Sequence, residues 1–176
     1  MIVYFLRHGN AGERRANPVQ DEKRPLDKEG IEQCRYVGRL LSSLDTHVDL
    51  ILSSPLKRAT QSASMVGNEI AYELQIELTP ALRPGASYEA FRQLLHSLSG
   101  LEAVMVVGHN PNLSRFLSLL VSGGLSNGVT EMKKGSVARV EMGPKRSVLN
   151  WLVTPRLIKS VYTSTQVNSL PKTSKK

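Results

Sequence analysis

Two short, uninterrupted apolar runs constrain this chain most, Ile2 to Leu6 and Ala103 to Val107. A strand with one wet face alternates apolar and polar side chains. A run that is apolar at every position needs cover on both faces, as in a parallel sheet packed between helices. The remaining pattern agrees with that demand. Asp27-Lys28-Glu29-Gly30 opens a helix with Asp27 as its N-cap, and Ile31, Cys34, Val37, Leu40, Leu41 and Leu44 follow at helical spacing. A second strand is expected over Val48 to Leu52, stopped at Ser53-Ser54-Pro55. Pro55 suits the first turn of the next helix, whose inner face holds Ala59, Ser62, Ala63 and Val66.

Further along, a short strand is expected over Leu74 to Leu78, turn-rich chain over Thr79 to Ser87, and a helix over Tyr88 to Leu98. After Ala103 to Val107, Gly108-His109-Asn110-Pro111 breaks the strand, Asn112 to Val121 is helical and Gly123-Gly124 ends that helix. Val137 to Met142 and Val148 to Val153 read as a hairpin around Gly143-Pro144. Residues 10 to 26 read as a long polar loop. Strands alternating with helices give an α/β domain whose mostly parallel sheet carries helices on both faces.

At 176 residues the chain suits one domain, and 40% hydrophobic with 22% charged residues is ordinary for a soluble protein. Residues 1 to 162 are read as that domain, and the polar, Ser/Thr/Lys-rich 163 to 176 as a disordered basic tail. No apolar run nears the roughly 18 residues of a membrane span, and Met1 to Leu6 is too short for a signal peptide. The cytoplasm and a monomeric state are the expectations. The lone Cys34 lies on an apolar helix face and reads as core. Of the net charge of +8, the tail supplies +3 through Lys172, Lys175 and Lys176, and the body +5. That balance suits anionic substrates or acidic partners. Nucleic acid is the weaker reading, because no basic patch interleaved with aromatics accompanies the charge.

In parallel α/β sheets, ligands sit beyond the carboxyl ends of the strands. Three such ends carry unusual residues here: Arg7-His8-Gly9, the Ser54-Pro55 turn leading to Arg58, and Gly108-His109. Taken singly, each has an ordinary reading, as a satisfied polar residue, a solvated helix arginine or a helix cap. Together they place two imidazoles and two guanidinium groups on one rim. A neutral imidazole can attack phosphorus and divide hydrolysis into two steps, while guanidinium groups hold the phosphoryl oxygens. His8 with His109 makes a poor metal site, lacking carboxylate or cysteine partners.

Leu6-Arg7-His8-Gly9, Ser54-Pro55-Leu56-Lys57-Arg58-Ala59-Thr60-Gln61-Ser62-Ala63 and Val107-Gly108-His109-Asn110-Pro111 resemble the histidine phosphatase superfamily, the phosphoglycerate-mutase-like proteins. The arrangement is most similar to the small SixA-like branch, the phosphohistidine phosphatases. Arg24-Pro25-Leu26 with Gly30, and Thr79-Pro80-Ala81-Leu82 with Pro84-Gly85, also match that branch. The resemblance spans about residues 1 to 153. It implies a three-layer α/β/α sandwich, His8 as the phosphorylated nucleophile, and Arg7, Arg58 and His109 as the phosphate pocket. Asn10 is expected beside the substrate. No metal or organic cofactor is implied, and the implied partner is a phosphohistidine-containing protein such as a histidine phosphotransfer domain.

One departure narrows the chemistry. Many members carry an acidic proton donor after the third strand or directly after the second histidine. Here Asn110 follows His109, and Thr79 to Ser87 contains no carboxylate. Glu13, Asp21 and Glu22 of the first loop are candidate substitutes, with solvated loop charges the plainer expectation. A protonated phosphohistidine expels neutral imidazole and needs less acid catalysis than an alkyl phosphate. The missing acid therefore favours a phosphohistidine substrate. A small-molecule phosphomonoesterase and a non-catalytic phosphate- or partner-binding module are the alternatives.

Overall fold

The computed structural model describes residues 1–125, 128 and 130–168, the last five as backbone only. Its strands are β1 (Ile2–Arg7), β2 (Leu50–Ser53), β3 (Glu77–Leu78), β4 (Ala103–Gly108), β5 (Val137–Met142) and β6 (Ser147–Val153). Its helices are α1 (Pro18–Glu22), α2 (Lys28–Ser43), α3 (Lys57–Glu69), α4 (Tyr88–Ser97), α5 (Asn112–Val121) and α6 (Pro155–Asn168). The strands form one sheet in the order β3-β2-β4-β1-β5-β6. The first four are mutually parallel, while β5 and β6 run antiparallel at one edge.

The apolar runs behave as two-sided strands. Val3 to Leu6 and every residue of β4 are buried, alternate side chains going to opposite faces. Tyr4, Leu6, Met105 and Val107 pack against Cys34, Val37 and Leu41 of α2, Ala63 and Val66 of α3 and Ile158 of α6. Val3, Phe5, Val104 and Val106 pack against Phe91 and Leu95 of α4 and Leu113, Phe116 and Leu117 of α5. Phe91 and Phe116 stack with ring centroids 4.7 Å apart, and Phe5 tilts onto Phe91 at 5.7 Å. The result is the expected three-layer α/β/α sandwich. Each fully buried large apolar side chain contributes about 1.5 to 3 kcal/mol.

Local signals set several boundaries. The Asp27 carboxylate accepts the Gly30 N–H and caps α2 as expected. Three expectations shift. β2 starts at Leu50 rather than Val48, and β3 shrinks to two residues at the sheet edge. Pro55 stands two residues before α3, which Leu56 opens without a side-chain cap. The loop over residues 10 to 26 contains α1, capped by the Asn17 side chain accepting from Val19 and Gln20. α6 carries helical backbone to Asn168, into the segment expected to be disordered. Its anchor is tertiary: Ile158 enters the core beneath α2, and Tyr162 stacks on Tyr36 at 6.4 Å. Residues 169–176 lie outside the described residues.

One backbone contact positions the end of β1. The chain leaving His8 crosses the start of α2 so closely that a Cβ on Gly30 would lie 2.0 Å from the Asn10 carbonyl oxygen. A Cβ on Gly9 would lie 2.7 Å from the Gly30 oxygen. Both obstacles are backbone and cannot rotate away. Gly30→Ala is therefore expected to cost about 1 to 3 kcal/mol in urea denaturation. Gly100→Ala, with nothing within 4 Å of the added methyl, serves as the control and should stay within about 0.5 kcal/mol.

Candidate active site

The parallel register decides which residues meet. Arg7 pairs with Gly108 across β1 and β4, so His8 and His109 leave the sheet side by side. The His8 N–H continues the ladder to the Gly108 carbonyl at 3.1 Å. Their rings lie 4.8 Å apart, centroid to centroid, and both side chains are buried. Arg58, on the first turn of α3, completes the cluster from the neighbouring β2 end. Of the residues singled out from sequence, Arg7, His8, Arg58 and His109 thus line one open pocket of about 650 Å³.

His8 is held in a defined protonation state. Its Nδ1 lies 2.7 Å from the Gly9 carbonyl oxygen. A carbonyl can only accept, so Nδ1 carries the proton and Nε2 keeps its lone pair. The Gly9 N–H in turn donates to Ser62 Oγ (3.1 Å), and that hydroxyl donates to the Arg58 carbonyl (2.8 Å). Ser62 therefore ties the nucleophile's loop to the turn carrying Arg58. His109 Nε2 lies 2.8 Å from Ser54 Oγ. Ser54 Oγ also accepts a long bond from the Leu56 N–H (3.4 Å), which fixes the hydroxyl against the imidazole.

The arginines are anchored by one nitrogen each. Arg7 Nη1 donates to the Met132 carbonyl at 2.7 Å, and Arg58 Nη1 to the Asp21 carbonyl at 2.9 Å. Arg7 Nε, Arg58 Nε and His109 Nδ1 are buried without a hydrogen-bond partner. Unpaired buried polar groups are costly, so two guanidinium N–H groups and a ring nitrogen without partners, on residues lining one pocket, mark a place suited to an acceptor-rich ligand.

The first loop is not the solvated segment expected from its composition. Asp21 is buried, with Oδ1 accepting from Arg24 Nε and the Arg15 N–H, both at 2.9 Å, and Oδ2 3.4 Å from Arg58. Burial alone would raise its pKa. The Arg15 N–H, the Arg24 hydrogen bond and the charges of Arg24 and Arg58 outweigh burial and hold it below the usual carboxylate range. Arg24 Nη1 also binds the Ala11 carbonyl at 2.6 Å, closing the loop over the site. Glu22 reaches the pocket too, paired with Arg83 of the segment that lacks a carboxylate. Glu13 stays exposed.

Asn10 is not brought to the cluster. Its Nδ2 donates to Glu29 Oε2 (2.7 Å) and its Oδ1 accepts from Lys134 Nζ (2.5 Å), so both ends of the amide are engaged away from His8. Sequence reasoning passed over Ser54 and Arg83 as functional residues, weighed Asp21 only as a substitute acid and preferred a solvated loop charge, and read Ser62 only as helix interior. The partners that tie them to the site lie from 37 to 61 positions away along the chain, beyond any local pattern. Among the described residues no group of three or more His, Cys, Asp or Glu side chains is placed to hold a metal ion. No described helix is long and apolar enough to cross a membrane.

Burial, with the charges of Arg58 and Arg7, pushes the His8 pKa down to about 3. Burial, His8 and the same arginines push His109 down to about 2. In the unfolded chain both would titrate near 6.5. The unfolded state therefore binds more protons below that value. The native fold loses stability as pH falls from about 6.5 towards 3, by about 1.4 kcal/mol per pH unit for each histidine. Urea midpoints should fall through this window. A doubly substituted His8→Asn, His109→Asn protein should lose most of the slope, and an unchanged slope would show that these imidazoles are not the buried neutral groups.

Comparison with known proteins agrees with this fold. The family described as "Histidine phosphatase superfamily (branch 1)" matches residues 3–84. Phosphohistidine phosphatase SixA of Escherichia coli (strain K12) is 27% identical over 157 residues, covering 88% of this chain and 94% of that protein. An uncharacterized protein of Picosynechococcus is 31% identical over 150 residues, 83% of this chain and 88% of its own. The solved structure of the protein histidine phosphatase SixA complexed with tungstate superposes with a TM-score of 0.80 at 25% identity, covering 90% of this chain and 99% of that one. With the family match, the sequence similarity and the shared sandwich together, the chain belongs to the histidine phosphatase superfamily and is a phosphatase.

Proposed function

We propose that this phosphatase hydrolyses phosphohistidine on a protein substrate through a covalent intermediate at His8. The observation that carries the reading is the single free lone pair of His8 Nε2, fixed by Nδ1–H donation to Gly9, in a pocket it shares with Arg7, Arg58 and His109. Nε2 attacks phosphorus in line, and the P–N bond of the substrate breaks as its imidazole leaves. Charge on the equatorial oxygens falls on the guanidinium groups, which need no reorganisation because their anchors already hold them. Water then attacks the phosphorylated His8 and releases inorganic phosphate, restoring the Nε2 lone pair. Tungstate in the SixA complex is a tetrahedral oxyanion, the shape such a pocket accepts.

Leaving-group chemistry supports the substrate class. The two carboxylates at the pocket are both committed, Asp21 to Arg24 and Arg58, and Glu22 to Arg83. Neither is a free acid able to protonate an alkoxide, a step typically worth 10² to 10⁴ in rate. An imidazole protonated on its other nitrogen leaves neutral. A basic pocket free of a large covering insertion also has room for a side chain presented by a folded protein.

Rapid quenching with ³²P-labelled phosphohistidine protein should trap acid-labile label on His8, and His8→Ala should lower kcat/KM by at least about 10³-fold. Equal turnover of unactivated alkyl phosphates, or activity retained in His8→Ala, would overturn the reading. Asp21→Ala frees Arg58 from its carboxylate and should lower kcat/KM by about 10- to 100-fold. Asp21→Asn keeps a side-chain oxygen to accept from the Arg15 N–H and Arg24 Nε and should lose less, measured on the same labelled protein.

A further inference from the structure

The pocket carries more positive charge than one phosphoryl group requires. Seven Arg and Lys side chains and two carboxylates line it, a net of five positive charges. A phosphoryl group brings roughly two negative charges. Arg7, half-buried, and Arg58, buried, form the floor, while Arg24 and Arg83 are balanced by Asp21 and Glu22. The surplus therefore sits on Arg14, Arg15 and Lys134, which are exposed at the mouth. They come from two separate segments, the stretch preceding α1 and the turn preceding β5.

These three differ in kind from the floor arginines. Among the described residues no carboxylate pairs with any of them, and no protein group holds the Arg14 or Arg15 guanidinium in place; Lys134 meets only the neutral Asn10 amide. A second fixed phosphate would call for anchored, bidentate guanidinium groups like those of the floor. Long, exposed, unpositioned cations instead suit negative charge whose positions vary, such as acidic side chains on a protein surface, and they raise association rates by steering.

We propose that Arg14, Arg15 and Lys134 form a docking rim that recognises acidic side chains flanking the phosphorylated histidine of the protein substrate. This assignment rests on the phosphohistidine reading above. It makes the substrate a phosphohistidine in an acidic setting, drawn in by the rim before the phosphoryl group reaches Arg7 and Arg58.

The test uses phosphoimidazole and two phosphohistidine peptides of equal length, one flanked by Asp and Glu and one by Ser and Gln. Wild-type protein should prefer the acidic peptide in kcat/KM by at least about tenfold, and added salt should shrink that preference. Arg14→Glu, Arg15→Glu, Lys134→Glu together should abolish the preference through KM while leaving phosphoimidazole turnover within about twofold. The corresponding Gln triple variant, which keeps the side chains long and neutral, should give an intermediate preference and covers the case in which charge reversal unfolds the loop. Equal wild-type rates on the two peptides would overturn the rim. So would an equal loss on phosphoimidazole, which would make these residues part of the phosphate pocket or specific for a small polyanion. Failure of the wild type to hydrolyse any of the three would instead overturn the phosphohistidine reading, and the rim with it.

Discussion

In the parallel pairing of β1 on β4, Arg7 lies opposite Gly108, and the chain beyond each strand must emerge on the same edge of the sheet. A slip of one residue would send every side chain of β1 to the other face and His8 away from His109. The register is held because both strands are apolar on both faces, with Val3, Phe5, Val104 and Val106 under α4 and α5, and Tyr4, Leu6, Met105 and Val107 under α2 and α3. The position of the nucleophile is thus enforced by core packing several residues away. β2, hydrogen-bonded to the other side of β4, delivers Ser54 and Arg58 to the same edge by the same rule.

Around that edge the protein accepts local instability. Two imidazoles are kept neutral by burial beside two guanidinium groups, and several donors have no partner in the fold. Each such choice opposes folding, and together they make an oxyanion the natural completion of the site. Asp21 tempers the cost. Held ionised between Arg24 and Arg58, it offsets part of the positive charge that would otherwise collect there, yet it stays bound to them and is no proton donor.

Geometry is maintained by short polar links rather than by one rigid element. Ser62 joins the Gly9 N–H to the Arg58 carbonyl, so the group that sets the His8 tautomer and the turn that carries Arg58 move as one. The close crossing of Gly9 over Gly30 adds the start of α2 to that unit. Arg24, bonded to the Ala11 and Gly12 carbonyls, binds the first loop to it as well. Pre-positioned groups of this sort need little rearrangement as charge develops.

Much of this was legible in the chain alone. Uninterrupted apolar runs required a covered parallel sheet, and the residues after three strand ends named Arg7, His8, Arg58 and His109, because hydrophobic period and turn chemistry are local properties. α6 was not legible, since Ile158 and Tyr162 gain their meaning only against α2 and Tyr36. Nor was the role of Asp21, which sequence placed among solvated loop charges, or the withdrawal of Asn10 to Glu29 and Lys134. The sequence by itself determined which chemical groups stand at the strand ends. Tertiary structure alone decided which of them face one another, because a carboxylate's role depends on the guanidinium groups folded against it from distant parts of the chain.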